Sequence, residues 1–494
     1  MRTAFLLLLL SIGTTLHAQS EPELYPITTA VLESPSTSTS YALALASSPD
    51  GDTYLSWITP TKENAKLYVA RYDRTQQRWS QSQLITIITA SGSSTVDTPN
   101  LAAGRNQTLA IVWLEKTQGG GTMAYSSRSS DAGITWAIPS ALTSESDLVE
   151  FPTIAVLPNG EILAVWLDGR GNAESQPTRL YGRIIGSERP DVMIDDSVCD
   201  CCQISLTSFP NGDVLIAYRA RREGEIRDIY TTLFQDGHWT EPRILSADGW
   251  RINGCPVNGP QLDSNWGNVA AVWFTGADNI SRVYATTSPD AGLRFLMPQR
   301  IDLGKPLGRV DTVQLHDGSR IVTWVEGGGQ DHTGIYLRRI SDRDEVGPAI
   351  RLFDTASALA RIALVKDYDA TPAQLILSYT HITKPTGMES LLVTLPDLST
   401  LAGRKPCLPC DEQDANATRG YPVKGVIAAV LANSQVQMNF EEIPGVMRAT
   451  TLKLQVEPEL HPKLPVGQEL LGRIEQRGRD WWLFNMKLLG EPLR

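Results

Sequence analysis

The chain is short of basic residues, of charge in general and of long apolar runs, and each shortage excludes something. Lysine and arginine number 44 against 55 aspartates and glutamates, a formal net charge of −11. A surface of that sign does not attract a phosphate backbone or an anionic bilayer, so nucleic acid and charged membrane surfaces are excluded as partner classes. Beyond the first 18 residues the longest apolar run is Val426 to Ala432, far too short to span a bilayer. Charged residues make up only 20% of the chain, while it holds 39 glycines and 30 prolines. That composition suits many short strands joined by turns and predicts an all-β protein.

What is present begins at the N-terminus. Arg2 supplies a positive start, Phe5 to Ile12 is apolar except for Ser11, and Leu16-His17-Ala18 offers a small residue before Gln19. This is the layout of a secretory signal peptide over residues 1–18. No cysteine follows it to carry a lipid. A periplasmic or secreted protein is expected, and six cysteines in such a chain read first as disulfides.

Internal repetition is the strongest signal. Short apolar segments end in an aromatic at Trp57, Trp113, Trp166, Tyr218, Trp273, Trp324 and Tyr379, spaced 51 to 56 residues apart. A tyrosine keeps the same period at Tyr68, Tyr125, Tyr181, Tyr230, Tyr284 and Tyr336, with Leu392 in the seventh place. Turn signals such as Pro49-Asp50-Gly51, Pro158-Asn159-Gly160 and Pro210-Asn211-Gly212 precede the first element. A repeat of roughly 50 residues with room for four strands is a propeller blade; tandem β-sandwiches need about 100 residues per core. Seven units fit between residues 38 and 402.

Ser129-Ser130-Asp131-Ala132-Gly133-Ile134-Thr135-Trp136 and Ser288-Pro289-Asp290-Ala291-Gly292-Leu293-Arg294-Phe295 are two copies of one hairpin. Asp131 and Asp290 can accept backbone N–H bonds, Gly133 and Gly292 take a left-handed angle, Ser129 and Ser288 open the turn, and Trp136 and Phe295 tuck into the blade. The pattern resembles the Asp-box of the sialidase superfamily. The resemblance implies a sialidase-like β-propeller, of six blades in that family's usual form, and implies that these boxes are structural. Working sialidases clamp a sugar carboxylate with three arginines, the first in a Phe-Arg-Ile-Pro motif. That motif is missing here, where the first arginine after the leader is Arg71. Arg219, Arg221 and Arg227 remain binding candidates, as do Asp97, Glu150 and Arg309, which fall at similar places in other repeats. The other reading of the arginine loop is a solvated cluster with internal ion pairs.

Cys199-Asp200-Cys201-Cys202 and the run Gly254-Cys255-Pro256-Val257-Asn258-Gly259-Pro260 stand ahead of the inner strands of consecutive repeats. They are expected at one mouth of the central channel. Together with an Arg-Asp-Ile run they resemble a group of bacterial sialidase-like propellers. Cys199, Cys201, Cys202 and Cys255 are read as two disulfides, as a thiolate metal site, or as reactive thiols. Cys407 and Cys410 lie in a proline-rich connector and read first as a local disulfide.

Residues 403–420 link to a second unit, 421–494, whose alternating short strands suit a small five-stranded, OB-like barrel. Glu441-Glu442-Ile443-Pro444-Gly445-Val446-Met447, followed by Ala449-Thr450, resembles the periplasmic copper-binding barrel of efflux chaperones. That family holds Cu(I) with one His and two Met. Here those places fall at Phe440, Thr450 and Leu452, so a metal-free barrel is expected. Copper is nonetheless the one cofactor these features point to. The expected function is a non-catalytic binding protein in copper handling, taking a small ligand, a metal ion or another exported protein. A sialidase-type glycoside hydrolase and a protein scaffold are the alternatives.

Overall fold

The computed structural model describes residues 28–394 and 421–489, apart from positions 38, 90–97, 118–120, 144–148, 171–176, 255, 328–332, 356–361, 368–373, 382–386, 441–449 and 478–479. The leader at 1–18, the linker at 403–420, Asp97, Cys255, Cys407, Cys410 and Met447 lie outside the described residues.

Among the described residues the first unit forms seven antiparallel sheets of four or five strands, and the second a closed barrel. The sheets follow one another in sequence, each built from consecutive strands, as in a β-propeller with seven blades. Blade 3, for example, runs Val149–Val156, Ile162–Asp168, Thr178–Ile184, Val192–Val198. The last blade is completed from the other end of the chain. Thr28–Leu32 pairs antiparallel with Gly387–Thr394 as its outer strand, so the propeller starts ahead of residue 38. Pairing the first strand with the last sheet ties the two ends of the propeller together with ladder hydrogen bonds.

The periodic aromatics explain why each sheet forms. Trp57 lies directly opposite Tyr68, Trp113 opposite Tyr125, Trp166 opposite Tyr181, Tyr218 opposite Tyr230, Trp273 opposite Tyr284 and Trp324 opposite Tyr336. Their ring centres are 5.7 to 6.4 Å apart. The five tryptophans are buried; each removes roughly 200 Å² from water, about 5 kcal/mol at about 25 cal/mol/Å². The seventh blade departs from the expected pattern. Tyr379 faces Glu389, and Leu392 pairs with Ile376.

Burial leaves each indole N–H needing an acceptor. Trp113 donates to Glu115 at 2.9 Å, Trp166 to Asp168 at 2.9 Å, Trp324 to Glu326 at 2.6 Å and Trp273 to Asp248 at 2.8 Å. Blade 4 has Tyr218 instead, and its hydroxyl donates to Asp195 of blade 3 at 2.5 Å. Inner strands of the blades surround a central channel of about 520 Å³, walled by residues such as Asn100, Thr153, Gln203, Thr207, Gln261 and Asp311.

The Asp-box hairpins take the expected geometry. Ser129 donates to Asp131 at 2.7 Å and accepts the Gly133 N–H at 2.9 Å; Asp131 accepts the Thr135 N–H at 2.9 Å. The copy repeats it through Ser288, Asp290, Gly292 and Arg294. Gly133 and Gly292 both sit at φ +86°, and Trp136 and Phe295 pack against the blade cores.

The barrel has the strand order Tyr421–Val430, Gln435–Phe440, Thr450–Gln455, Asp480–Leu489, Glu469–Arg477 and closes on itself. Its core is apolar, built on Val423, Ile427, Val436, Met438, Leu454, Leu470 and Ile474. Met438 is fully buried in that core, and Leu452 and Trp481 pack against it. Phe440 and Leu452 therefore carry packing side chains.

Candidate functional site

Cys199 to Cys202 connect the outer strand of blade 3 to the inner strand of blade 4, Ser205–Ser208. The preceding strand carries on past its own sheet: Val198 bridges to Ala220, and the Cys199 N–H donates to the Arg219 carbonyl at 2.9 Å. This seats the cysteines on the Arg219–Asp228 loop, between the second and third strands of blade 4. A third segment, leading from blade 4 into blade 5, covers that loop. The Arg227 N–H donates to the Trp250 carbonyl at 2.7 Å, and the Trp250 ring lies under the Arg219 guanidinium, 4.8 Å from centroid to Cζ.

Asn258 ties the segments together. Its carbonyl accepts two bonds from Arg219, at 3.1 and 2.9 Å, and its side-chain oxygen accepts the Arg309 N–H at 2.9 Å. Gly259 must be glycine, because a Cβ there would stand 2.2 Å from the backbone oxygen of Gln203. Phe151, Val257 and Arg309 hold left-handed backbone angles of +49°, +51° and +54° at the entries to blades 3, 5 and 6. Such strain in non-glycine residues costs about 1–3 kcal/mol each and collects at functional sites.

The sulfur atoms are close together. Cys199 Sγ lies 3.3 Å from Cys202 Sγ and 3.8 Å from Cys201 Sγ, and the three sulfurs fall within 4.8 Å of one another. Cys199 and Cys202 are free thiols, both buried, whereas the partly exposed Cys201 is disulfide-bonded. The Arg227 Nη1 donates to Cys199 Sγ at 3.1 Å. The Cys202 thiol hydrogen bond holds the Cys199 pKa down to about 6 against burial, with help from the Cys201 N–H and from Arg227 and Arg219. Cys202 moves the other way: burial, then its bond to Cys199, pushes its thiol well above the usual range. The two opposite shifts favour the charge on Cys199 and the proton on Cys202.

The arginines expected to bind a ligand are engaged inside the protein. Arg219 is buried, and besides Asn258 its guanidinium meets the carbonyls of Arg227 and Phe274, at 2.5 and 2.6 Å. Arg221 makes a forked pair with Glu225 at 2.8–3.1 Å, and Arg227 bonds Glu225 at 2.6 Å. Arg222 is bidentate to Asp195 at 2.9 and 2.7 Å. The Arg309 Nη1 donates to the Val257 carbonyl at 2.5 Å. These residues form no open clamp for a carboxylate; they build the wall behind the thiols. Tyr218 is buried and bonded to Asp195, and that burial pushes its hydroxyl pKa up. Glu150 lies in the inner strand of blade 3, beside the bulge ahead of Thr153.

Gln203, which follows Cys202, is in the channel wall, and Cys199 and Cys202 are buried at the junction of blades 3, 4 and 5. The Arg227–Cys199 bond and the role of Asn258 escape sequence reading, because each links positions 28 or more residues apart with no local pattern.

The fold defines the class of protein: a seven-bladed β-propeller with an appended small barrel. No protein-family model and no curated protein matches the chain. Solved structures do. An ulvan lyase from a family of polysaccharide lyases is 12% identical, with a TM-score of 0.49, and the match covers 76% of this chain and 97% of that one. A protein of unknown function from Dyadobacter fermentans is 14% identical, with a TM-score of 0.45 over 74% and 98%. A Hadza microbial sialidase is 13% identical, with a TM-score of 0.39 over 58% and 63%. These likenesses concern the fold alone.

Proposed function

We propose that the protein is an exported thiol–disulfide exchange propeller, with Cys199 as the attacking thiolate and Cys202 as the resolving thiol. The observation that carries this is the pair itself: two free thiols 3.3 Å apart, one of them 3.1 Å from an arginine Nη1. A thiolate beside a protonated thiol, two residues of spacer between them, can open a disulfide and then be released by its neighbour. The co-reactant is a disulfide or dithiol of the exported compartment. The leader-like start and the cysteine content support export.

The test equilibrates the protein with glutathione buffers of graded potential, traps thiols with acid and alkylating reagent, and maps the pairs by mass spectrometry. A Cys199–Cys202 disulfide that forms and disappears reversibly is expected. Two thiols that stay reduced across the whole range overturn the reading.

A second reading applies to the fully reduced protein. With Cys201 in a disulfide, two thiols of the cluster remain. Once Cys201 is reduced, three sulfurs within 4.8 Å make a soft donor set suited to copper(I). One copper per reduced chain, lost in Cys199→Ser, would favour it. The sialidase-type glycoside hydrolase reading lacks its candidate clamp, since Arg219, Arg221, Arg227 and Arg309 are engaged internally.

A further inference from the structure

Cys199 and Cys202 are buried, 1% and 2% exposed, so a macromolecular disulfide cannot reach either sulfur directly. The sulfur nearest solvent is that of Cys201, which is partly exposed, next to the exposed Asp200. It lies 3.8 Å from Cys199 Sγ and already belongs to a disulfide. We propose that the Cys201 disulfide is the relay through which the buried pair exchanges with the outside. This rests on the reading of Cys199 and Cys202 as a redox pair and adds its route.

The chemistry closes without an external oxidant. The Cys199 thiolate attacks Cys201 Sγ; a Cys199–Cys201 bond forms, the bond from Cys201 to its present partner breaks, and that partner leaves as a thiolate and takes up a proton. Cys202, having released its proton, then attacks Cys199 Sγ; the Cys199–Cys202 bond forms and Cys201 leaves as a thiolate, which is protonated in turn. No electron is gained or lost. A buried dithiol and a half-exposed disulfide have exchanged places, and an exported dithiol or disulfide then meets the outer pair by the same chemistry.

The sites fit these roles. The attacking sulfur is held by the Arg227 Nη1 at 3.1 Å on one side and is in contact with both sulfurs it must meet. Asp200, 3.9 Å from Arg227 and half-exposed, marks the solvent side of the cluster next to Cys201. The resolving sulfur sits deeper, on the blade 5 side, bonded by the Asn258 N–H.

Disulfide mapping of the wild-type protein after incubation at pH 8, with Cys202→Ser and Cys201→Ser beside it, tests this. Two pairings in exchange are expected in the wild type, one through Cys201 and one joining Cys199 to Cys202. Cys202→Ser, lacking the resolving thiol, should accumulate the Cys199–Cys201 bridge. In Cys201→Ser, oxidation of the buried pair by a disulfide-bearing protein should slow at least tenfold. If the pair oxidises as fast in Cys201→Ser as in the wild type, the relay is overturned while the redox pair stands. If the pair never oxidises in the wild type, both fail. The wild-type mapping decides even if a variant does not fold.

Discussion

The Asp-box hairpins on the rim and the cysteine junction between blades 3, 4 and 5 use similar materials: a carboxylate or thiolate, backbone N–H donors, and a glycine at a point of close approach. They differ in reach. The Ser129 and Asp131 side chains make their bonds within eight residues, and Asp131 is held in its ionised form by Thr135, Ser129 and the Ile134 N–H, while the Ala132 N–H anchors the turn on the Gln107 carbonyl at 3.0 Å. The Cys199 thiolate draws on Cys202, Arg227 and Arg219, and these are seated by Asn258 from the next blade. A turn whose carboxylate is held by its own residues stabilises the blade and can do little else. A thiolate assembled from three segments is tunable by each of them, and that is what a reactive group needs.

The two regions should therefore respond differently to the same change. At Gly259 an added methyl meets the Gln203 backbone at 2.2 Å, which cannot yield without separating blades 4 and 5. Gly259→Ala should cost at least about 4 kcal/mol, among the largest effects of a single substitution. At Gly133 the backbone is left-handed, φ +86°, and the nearest atoms are side-chain carbons of Leu109 and Val69 at 3.1 and 3.3 Å. Gly133→Ala should cost about 1–2 kcal/mol. Calorimetric unfolding checks both. Equal losses would mean that the junction is no more constrained than a rim turn.

The next effect separates chemistry from stability. The Cys199 thiolate should alkylate with a midpoint near pH 6, set by Cys202 first and then by the Cys201 N–H, Arg227 and Arg219, against burial. Arg227→Ala should raise that midpoint by roughly one unit. Stability follows with a definite sign. The folded pKa lies below the ordinary thiol value of 9, so the contribution is complete above about pH 9 and lost as pH falls to about 6. Arg227→Ala should narrow that window. Removing Asp131 from the rim should leave the alkylation profile where it is; a shift there would join the two regions.

Much of the fold was legible in sequence because its determinants are local or periodic. Trp57, Trp113, Trp166, Tyr218, Trp273 and Trp324 repeat because each of the first six blades buries one large aromatic against the next strand, and Gly133 and Gly292 announce their turns. The seventh blade was read less well, since Leu392 faces Ile376 while Tyr379 faces Glu389, and no aromatic marks that register. The cysteines were found as a cluster. Their division into two thiols and a disulfide sulfur was not, because it depends on which segment each Sγ meets. Arg219 and Arg227 stood out as charges in a loop, but a charge in sequence does not say whether it faces solvent, a carbonyl or a thiolate. Burial settles that here, and burial is set by blades folded from residues 50 or more positions away.

The smallest expected effect lies just under the junction. Asp228 is buried beside Asp248, and its carboxyl pKa is pushed up to about 7 by that burial first, then by the Asp248 charge. A folded pKa above the ordinary 3.8 means the native state favours the protonated carboxyl, so stability from this group is present at low pH and declines as pH rises through about 7. Asp228→Asn keeps an acceptor for the Trp250 N–H, which donates at 3.2 Å, and removes the titration. The variant should gain on the wild type by roughly 1 kcal/mol at pH 8 relative to pH 5, a modest figure because the Asp228 charge also offsets buried Arg219. Urea unfolding at the two pH values measures the difference. A gain independent of pH would place Asp228 outside the electrostatics of the thiol site; a loss at pH 8 would show that its charge is what keeps Arg219, and through it the Cys199 thiolate, in place.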